Sequence, residues 1–420
     1  MKNLKFLLVA LFIFSSVSTF AQVDTRKSLQ YFRPIGKAGV NVFETSKNDS
    51  VKFEGLQVRV GADFAMQFQG LSHSNSIIGD PLVDLGSNFN LPAANLNIDA
   101  QLQDGLRVHL RTYLSSRHHT EAYVKGGYLQ FDKLDFIQEG LLSGLMDIAT
   151  IRIGMDQINY GDAQFRRSDN AAAIYNPFVG NYIMDSFTTE PFFELTLQPG
   201  DMIIVAGITN GRLNQNPVSG DNGFVFFSKL GFDKQVNEDL RVRLTGSMYS
   251  SSSESTRDYI YGGDRAGGRY YSTLATEANG GSDFDPRFNP RFGYHTAFQF
   301  NPFMKYRGFE FFGLFETTNN GDDTVGGGFT QLGFEGLYRF GSMEQWYLGG
   351  RYNSVSGEAS DAAATRDINR LNIGGGWFMT NNVLVKLEYM SQEYSGGGFA
   401  GSRLQDGEFS GIVLEAVIGF

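Results

Sequence analysis

The residues best equipped for chemistry in this chain are arginines, and they recur at alternate positions. Arg107 and Arg111 sit among Leu106, Val108 and Leu110, and Arg241 and Arg243 among Leu240, Val242 and Leu244. Asp162, Arg166 and Arg167 form a third group, in a stretch from about 157 to 189 that also carries Phe165, Ile174, Tyr175, Phe178, Tyr182, Ile183 and Met184. A guanidinium presents a planar fork of donors that matches carboxylate or phosphate, so spaced arginines read as anion recognition. The five histidines, His73, His109, His118, His119 and His295, offer a competing chemistry. His118 and His119 stand near Glu121, and a carboxylate with an imidazole can activate water, but no third group at a telling spacing completes such a site. Neither a GxxxxGK phosphate loop nor an HExxH zinc pair occurs. The acid pairs Asp322-Asp323 and Asp283-x-Asp285 lack the full ligand ladder of a calcium loop. No catalytic residue, cofactor or metal is expected.

The elements that must position these side chains are strands. From Leu56 the apolar residues Leu56, Val58, Val60, Ala62, Phe64, Met66 and Phe68 alternate with Gln57, Arg59, Asp63 and Gln67, which gives a strand one oily and one wet face. Leu96, Ile98, Ala100 and Leu102 repeat the pattern, followed by Asp104-Gly105 and then Leu106 to Leu114, and Asp-Gly between alternating runs is a strong hairpin signal. Comparable runs surround Leu240, Leu332, Trp346, Leu371 and Val383, and the chain closes on Ile412, Leu414, Ala416, Ile418 and Phe420. With weaker segments near Leu129, Ile151, Leu195, Ile204, Phe226, Phe298 and Phe311, the count reaches about sixteen strands, within the range of bacterial membrane barrels.

The connections sort into two sets. Asp104-Gly105, Pro199-Gly200-Asp201, Asn301-Pro302, Gly341-Ser342 and Asn381-Asn382 are read as short turns, while the others are long and rich in Gly, Ser, Asn and Asp. A soluble β-sandwich would alternate too, but its loops need not sort in this way. In a bilayer no water satisfies a free strand edge, so an oily sheet must close on itself. The expectation is an all-β chain: a transmembrane antiparallel up-and-down β-barrel of about 16 strands whose third extracellular loop, 157–189, folds inward. An external loop held by its own side chains is the alternative for that segment.

Composition narrows the partners. Among 420 residues there are 51 Gly, 38 Phe, 19 Tyr, 10 Pro and no Cys, which excludes a disulfide scaffold, a cysteine nucleophile and a thiolate metal site. The formal net charge of -10 offers no basic footprint for nucleic acid. Lys2 and Lys5, the apolar run Leu4 to Phe14, and the small residues ending at Ala21 read as an export signal over residues 1–21. Residues 22–53 lack alternation and carry Arg26, Lys27, Arg33, Lys37 and Lys47; they are either a periplasmic tail or a segment entering the barrel from below. The barrel itself is placed at 54–420. The loop 252–292, with Tyr259, Tyr261, Tyr270 and Tyr271 among glycines, is a candidate lid or partner surface.

The last segment, apolar at every second position and ending on Phe420, resembles the terminal strand of Gram-negative outer-membrane barrels, whose final aromatic is read by the barrel assembly machinery. With the export signal and the strand count, the chain resembles the general porins and, more loosely, the phosphate-selective porin O and P family. The resemblance is architectural over most of 54–420 and specific only at the C-terminus and in Met155 to Asp185. It implies location in the outer-membrane lipid, homotrimeric assembly, and a third loop that narrows the lumen.

Two readings of the barrel's inner wall stay open. Arg107, Arg111, Arg166, Arg167, Arg241 and Arg243, with Asp162, would line a pore and its constriction and favour anions such as phosphate or carboxylates. Alternatively, arginines and acids on neighbouring strands pair and leave a nonspecific water-filled channel for small hydrophilic solutes. An outer-membrane hydrolase and a structural or adhesive barrel are the remaining function classes.

Overall fold

The computed structural model describes residues 28–114, 123–168, 172–211, 223–252, 260–262, 269–278 and 287–420. The expected export signal over 1–21, and His118, His119, Glu121, Tyr259, Asp283 and Asp285, lie outside these residues. Sixteen antiparallel strands form one closed sheet in which each strand pairs with its sequence neighbours and the first pairs with the last. They are β1 (Gln57–Ser74), β2 (Asn88–Gln103), β3 (Leu106–Leu114), β4 (Tyr123–Phe131), β5 (Ala149–Gln157), β6 (Thr189–Leu197), β7 (Met202–Thr209) and β8 (Val225–Gln235), then β9 (Leu240–Ser251), β10 (His295–Tyr306), β11 (Phe309–Asn320), β12 (Gly328–Phe340), β13 (Trp346–Glu358), β14 (Arg366–Thr380), β15 (Val383–Ser395) and β16 (Glu408–Gly419). Closure runs from Asp63–Gly419 to Ser74–Glu408 and is sealed by mutual backbone bonds of 3.0 Å between Ala62 and Phe420.

Alternation explains the two faces. On β12 the side chains of Leu332, Phe334, Tyr338 and Phe340 point outward and stay exposed, whereas Gln331, Glu335 and Arg339 point inward and are buried. The same division holds round the barrel, so the outside carries a belt of Leu, Ile, Val and Phe. A closed sheet can bear such a belt in lipid because every strand has two hydrogen-bonded neighbours. Near the short-turn end of β10 to β14 the outer face is aromatic: Tyr306, Phe309, Tyr338, Phe340, Trp346 and Trp377 are all exposed. Trp346 and Trp377 stack with ring centroids 4.7 Å apart and planes 3° from parallel. Amphipathic rings at this level suit a membrane interface.

The turn at Asp104-Gly105 joins β2 to β3, with Gly105 at φ +69. Asn301-Pro302 is a correction: both residues lie inside β10, and the turn is Arg307-Gly308. Proline cannot donate to a ladder. The pairing of β10 with β11 accordingly skips from Phe300–Phe315 to Phe303–Phe312, while Pro302 keeps its register opposite Leu244 of β9. Gly313 makes room for the ring, since a Cβ there would stand 2.7 Å from Pro302 Cγ.

Three segments pack within the ring of strands. The N-terminal segment, described from residue 28, is fixed at the short-turn end by Lys37 N to Asn381 O at 2.7 Å and Lys47 Nζ to Ala149 O at 2.7 Å. Deeper in, Asn41 Nδ2 donates to Glu310 Oε2 at 2.7 Å. The connection between β5 and β6, the third of the long set, bonds to the inward faces of distant strands. Val179 N donates to Glu388 at 2.8 Å, Ile183 N to Asn353 at 2.6 Å and Met184 N to Gln331 at 2.8 Å. From the β9–β10 connection, Tyr270 Oη donates to Glu388 at 2.6 Å and Tyr261 Oη to Glu316 at 3.0 Å, while Arg269 pairs with Glu415.

Candidate functional site

The inner wall is built from charges placed opposite one another by strand register. Glu335 and Arg351 are direct partners across β12 and β13, and their side chains meet at 2.6 Å. Lys386 and Glu415 face each other across β15 and β16 at 2.9 Å, and Arg152 and Glu194 across β5 and β6 at 2.7 Å. Period-two alternation puts every such residue on the same side of the sheet, so the pairing follows from register alone.

Of Arg107, Arg111, Arg166, Arg167, Arg241, Arg243 and Asp162, the structure brings Arg107 and Arg111 into one group and Arg241, Arg243 and Asp162 into a second, with Arg166 and Arg167 in neither. On β3, Arg107 meets Asp99 at 3.0 Å and Arg111 meets Asp156 at 2.8 Å. His109 lies between the same two acids, its Nδ1 2.8 Å from Asp99 and its Nε2 3.8 Å from Asp156, in the place of a wall residue. On β9, Arg243 forks onto Asp162 of the third loop at 2.8 and 2.9 Å, and Arg241 pairs with Asp233 at 2.6 Å. Lys229, on β8, completes this second group at 2.9 Å from Asp162, with Glu44 of the N-terminal segment 3.1 Å from its ammonium. Burial alone would raise the Asp162 carboxyl, but Arg243 and Lys229 outweigh it and hold that carboxyl well below the usual carboxylate range.

Arg166 and Arg167, expected as donors at the narrowest point, are both engaged with buried acids. Arg166 is buried between Glu310, at 2.6 Å, and Glu335, with Asn41 as a further partner. Arg167 forks onto Asp185 at 2.8 to 3.0 Å and lies 3.8 Å from the centroid of the Phe187 ring. A buried guanidinium must be compensated, and both side chains fasten the loop to the wall or to itself.

Among the described residues, space opens on the β1–β6 side. A cavity of about 230 Å³ is bounded by the inward faces of these strands, by the N-terminal segment and by the third loop. Its charged lining comprises Arg33, Arg59, Arg107, Arg111 and Arg152 against Glu44, Asp99, Asp156 and Glu194. Arg33 was visible in the sequence only as one of several bases in an unpatterned segment. Its guanidinium donates to Gly39 O at 3.0 Å and Phe165 O at 3.1 Å and stands 3.8 Å from the Tyr175 ring centroid. Among the described residues, no group of three or more His, Asp or Glu is arranged to hold a metal ion.

Fold and lining together define a closed barrel of the outer-membrane class. Solved structures with the same fold include OmpT, an outer-membrane protein of Vibrio cholerae (TM-score 0.52, 12% identity, 88% of this chain and 99% of that one). An anion-selective porin from Comamonas acidovorans gives TM-score 0.54 and 9% identity over 87% of this chain and all of the other. The outer membrane channel DcaP of Acinetobacter baumannii gives TM-score 0.50 and 10% identity over 88% and 99%. At such identities the likeness is one of fold. No family model matches the chain, and no curated protein matches it.

Proposed function

We propose that this protein is an outer-membrane channel that passes small hydrophilic anions, phosphate or carboxylates, along the arginine-bearing side of its lumen. The observation that carries this reading is the cavity on the β1–β6 side, lined by five arginines and four carboxylates. Guanidinium groups along a narrow water-filled path lower the barrier to anions and raise it to cations. The three packed segments make the path narrow and one-sided, so it would discriminate more sharply than a wide pore. The apolar outer belt and the export signal support location in the outer membrane, and Phe420 at the closing strand suits delivery through the assembly machinery. Homotrimeric assembly belongs to the same reading.

Folded protein in a planar bilayer with a potassium chloride gradient gives a reversal potential of anion sign on this proposal. A reversal potential of cation sign overturns the anion preference. Liposomes containing the protein should swell in small solutes; failure to pass any of a graded set overturns the channel.

A further inference from the structure

The charges around the cavity do not balance evenly. Arg107, Arg111 and Arg152 each meet their own acid, Asp99, Asp156 and Glu194. The fourth acid, Glu44, is taken up by Lys229 and Arg243. Arg33 and Arg59 are left without an ion pair among the described residues. Arg59 rests 5.2 Å from the ring centroid of Phe32 and sits opposite Asp99 across β1 and β2, an acid already held by Arg107 and His109, while Arg33 stands over Tyr175, so each cation has an aromatic face beside it and no acid of its own. Both act electrostatically on the Tyr175 hydroxyl, which puts them on the same part of the cavity. Burial pulls the Arg33 guanidinium down to about 10, with Tyr175 and Glu44 offsetting only part of that effect. An incoming anion would supply the missing compensation.

We propose that Arg33 and Arg59 form a binding site for the carboxylate of a small organic acid, with the N-terminal segment supplying one wall of the selective site. This rests on the channel reading and deepens it. With Glu44 taken up by Lys229 and Arg243, the five arginines of the lining face three acids of their own, and Arg33 and Arg59 remain to meet an anion. Phe32, Tyr128, Phe165 and Tyr175 line the same space and favour an acid with an apolar body. A volume of about 230 Å³ holds roughly eight waters or one such molecule. Specificity in this barrel is then set partly by residues ahead of the first strand, since Arg33 belongs to no strand.

The test uses the full-length folded barrel in detergent, titrated by calorimetry with sodium benzoate, sodium acetate and sodium phosphate, alongside single-channel recording. Benzoate is expected to bind most tightly, and Arg33→Gln and Arg59→Gln should each weaken it about tenfold or more. Lys52→Gln, on an exposed lysine of the same segment, should leave binding unchanged. Arg59→Gln removes the contact with Phe32 but none of the hydrogen bonds that hold the N-terminal segment, so it remains decisive if Arg33→Gln fails to fold. No binding of benzoate by the wild type, unaltered binding in Arg59→Gln, or phosphate binding as tight as benzoate overturns the proposal. A conducting wild type that binds no benzoate sinks this site and leaves the channel reading standing. Benzoate binding without conductance keeps the site and sinks the channel.

Discussion

Asp162 and Arg243 meet through two hydrogen bonds, at 2.8 and 2.9 Å, with both side chains almost wholly buried. This contact ties the third loop to the wall at β9, and Lys229 and Thr245 converge on the same carboxylate at 2.9 and 2.7 Å. Removing one partner of a buried ion pair typically costs about 3–5 kcal/mol because the other charge is left uncompensated. Asp162→Asn should therefore loosen the loop, lower the unfolding temperature in detergent and expose Arg166-Arg167 to trypsin. Wild-type resistance to trypsin in this variant would show that the loop is held elsewhere.

The same cluster fixes a pH dependence. The carboxyls of Asp162 and Glu44 are both held below their ordinary values: burial opposes this, and Arg243 and Lys229 outweigh it. A depressed folded value contributes stability that is fully present above the unfolded value of about 4 and is lost as pH falls through the folded value. Loop docking should be constant between pH 5 and 7, on the order of the usual carboxylate range and above, and weaken only in stronger acid. Channel current recorded from pH 7 downward checks this: a step near pH 6 would contradict the assignment to these acids.

Deleting residues 28–53 should enlarge the path, because Asn41, Glu44 and Arg33 give up their contacts with Glu310, Lys229 and Phe165. Liposome swelling in a graded series of sugars is expected to extend to larger solutes. Swelling unchanged from wild type would mean that these residues do not limit passage.

Arg152→Gln leaves Glu194 facing the cavity without its 2.7 Å partner. At an effective dielectric of about 20, an uncompensated charge near a permeating ion is worth roughly 1 kcal/mol or more, a severalfold change in permeability ratio. The reversal potential should move toward cations. An unchanged reversal potential would place the path away from β5 and β6.

How much of this was legible in the sequence depends on where each constraint comes from. Leu332, Phe334, Tyr338 and Phe340 announce a strand because lipid on one face and lumen on the other impose a two-residue period. Pro302 misled as a turn signal, since what rescues it within β10 is Gly313 on the neighbouring strand, eleven positions away in the chain. The arginines of β3 and β9 were legible as inward-facing. Their acids were less so: Asp162, which holds Arg243, lies 81 positions away, and no local pattern encodes that pairing. Arg33 was least legible of all, because the segment around it has no period and takes its shape from contacts such as Asn41 with Glu310, 269 positions apart.

The seam between β1 and β16 joins the two ends of the described sheet, pairing Asp63 with Gly419. The segment ahead of β1 lies inside that ring, anchored by Lys37 to Asn381 and by Asn41 to Glu310. Contacts between residues so distant in sequence form late, since the intervening chain must be gathered first. The leading stretch therefore has two routes to its place: sideways while the cylinder is still an open curved sheet, or through an end after its last strand docks. Once the seam is zipped, the filling is enclosed like a core cast inside its mould, and its removal requires passage through an end, not reopening of the side.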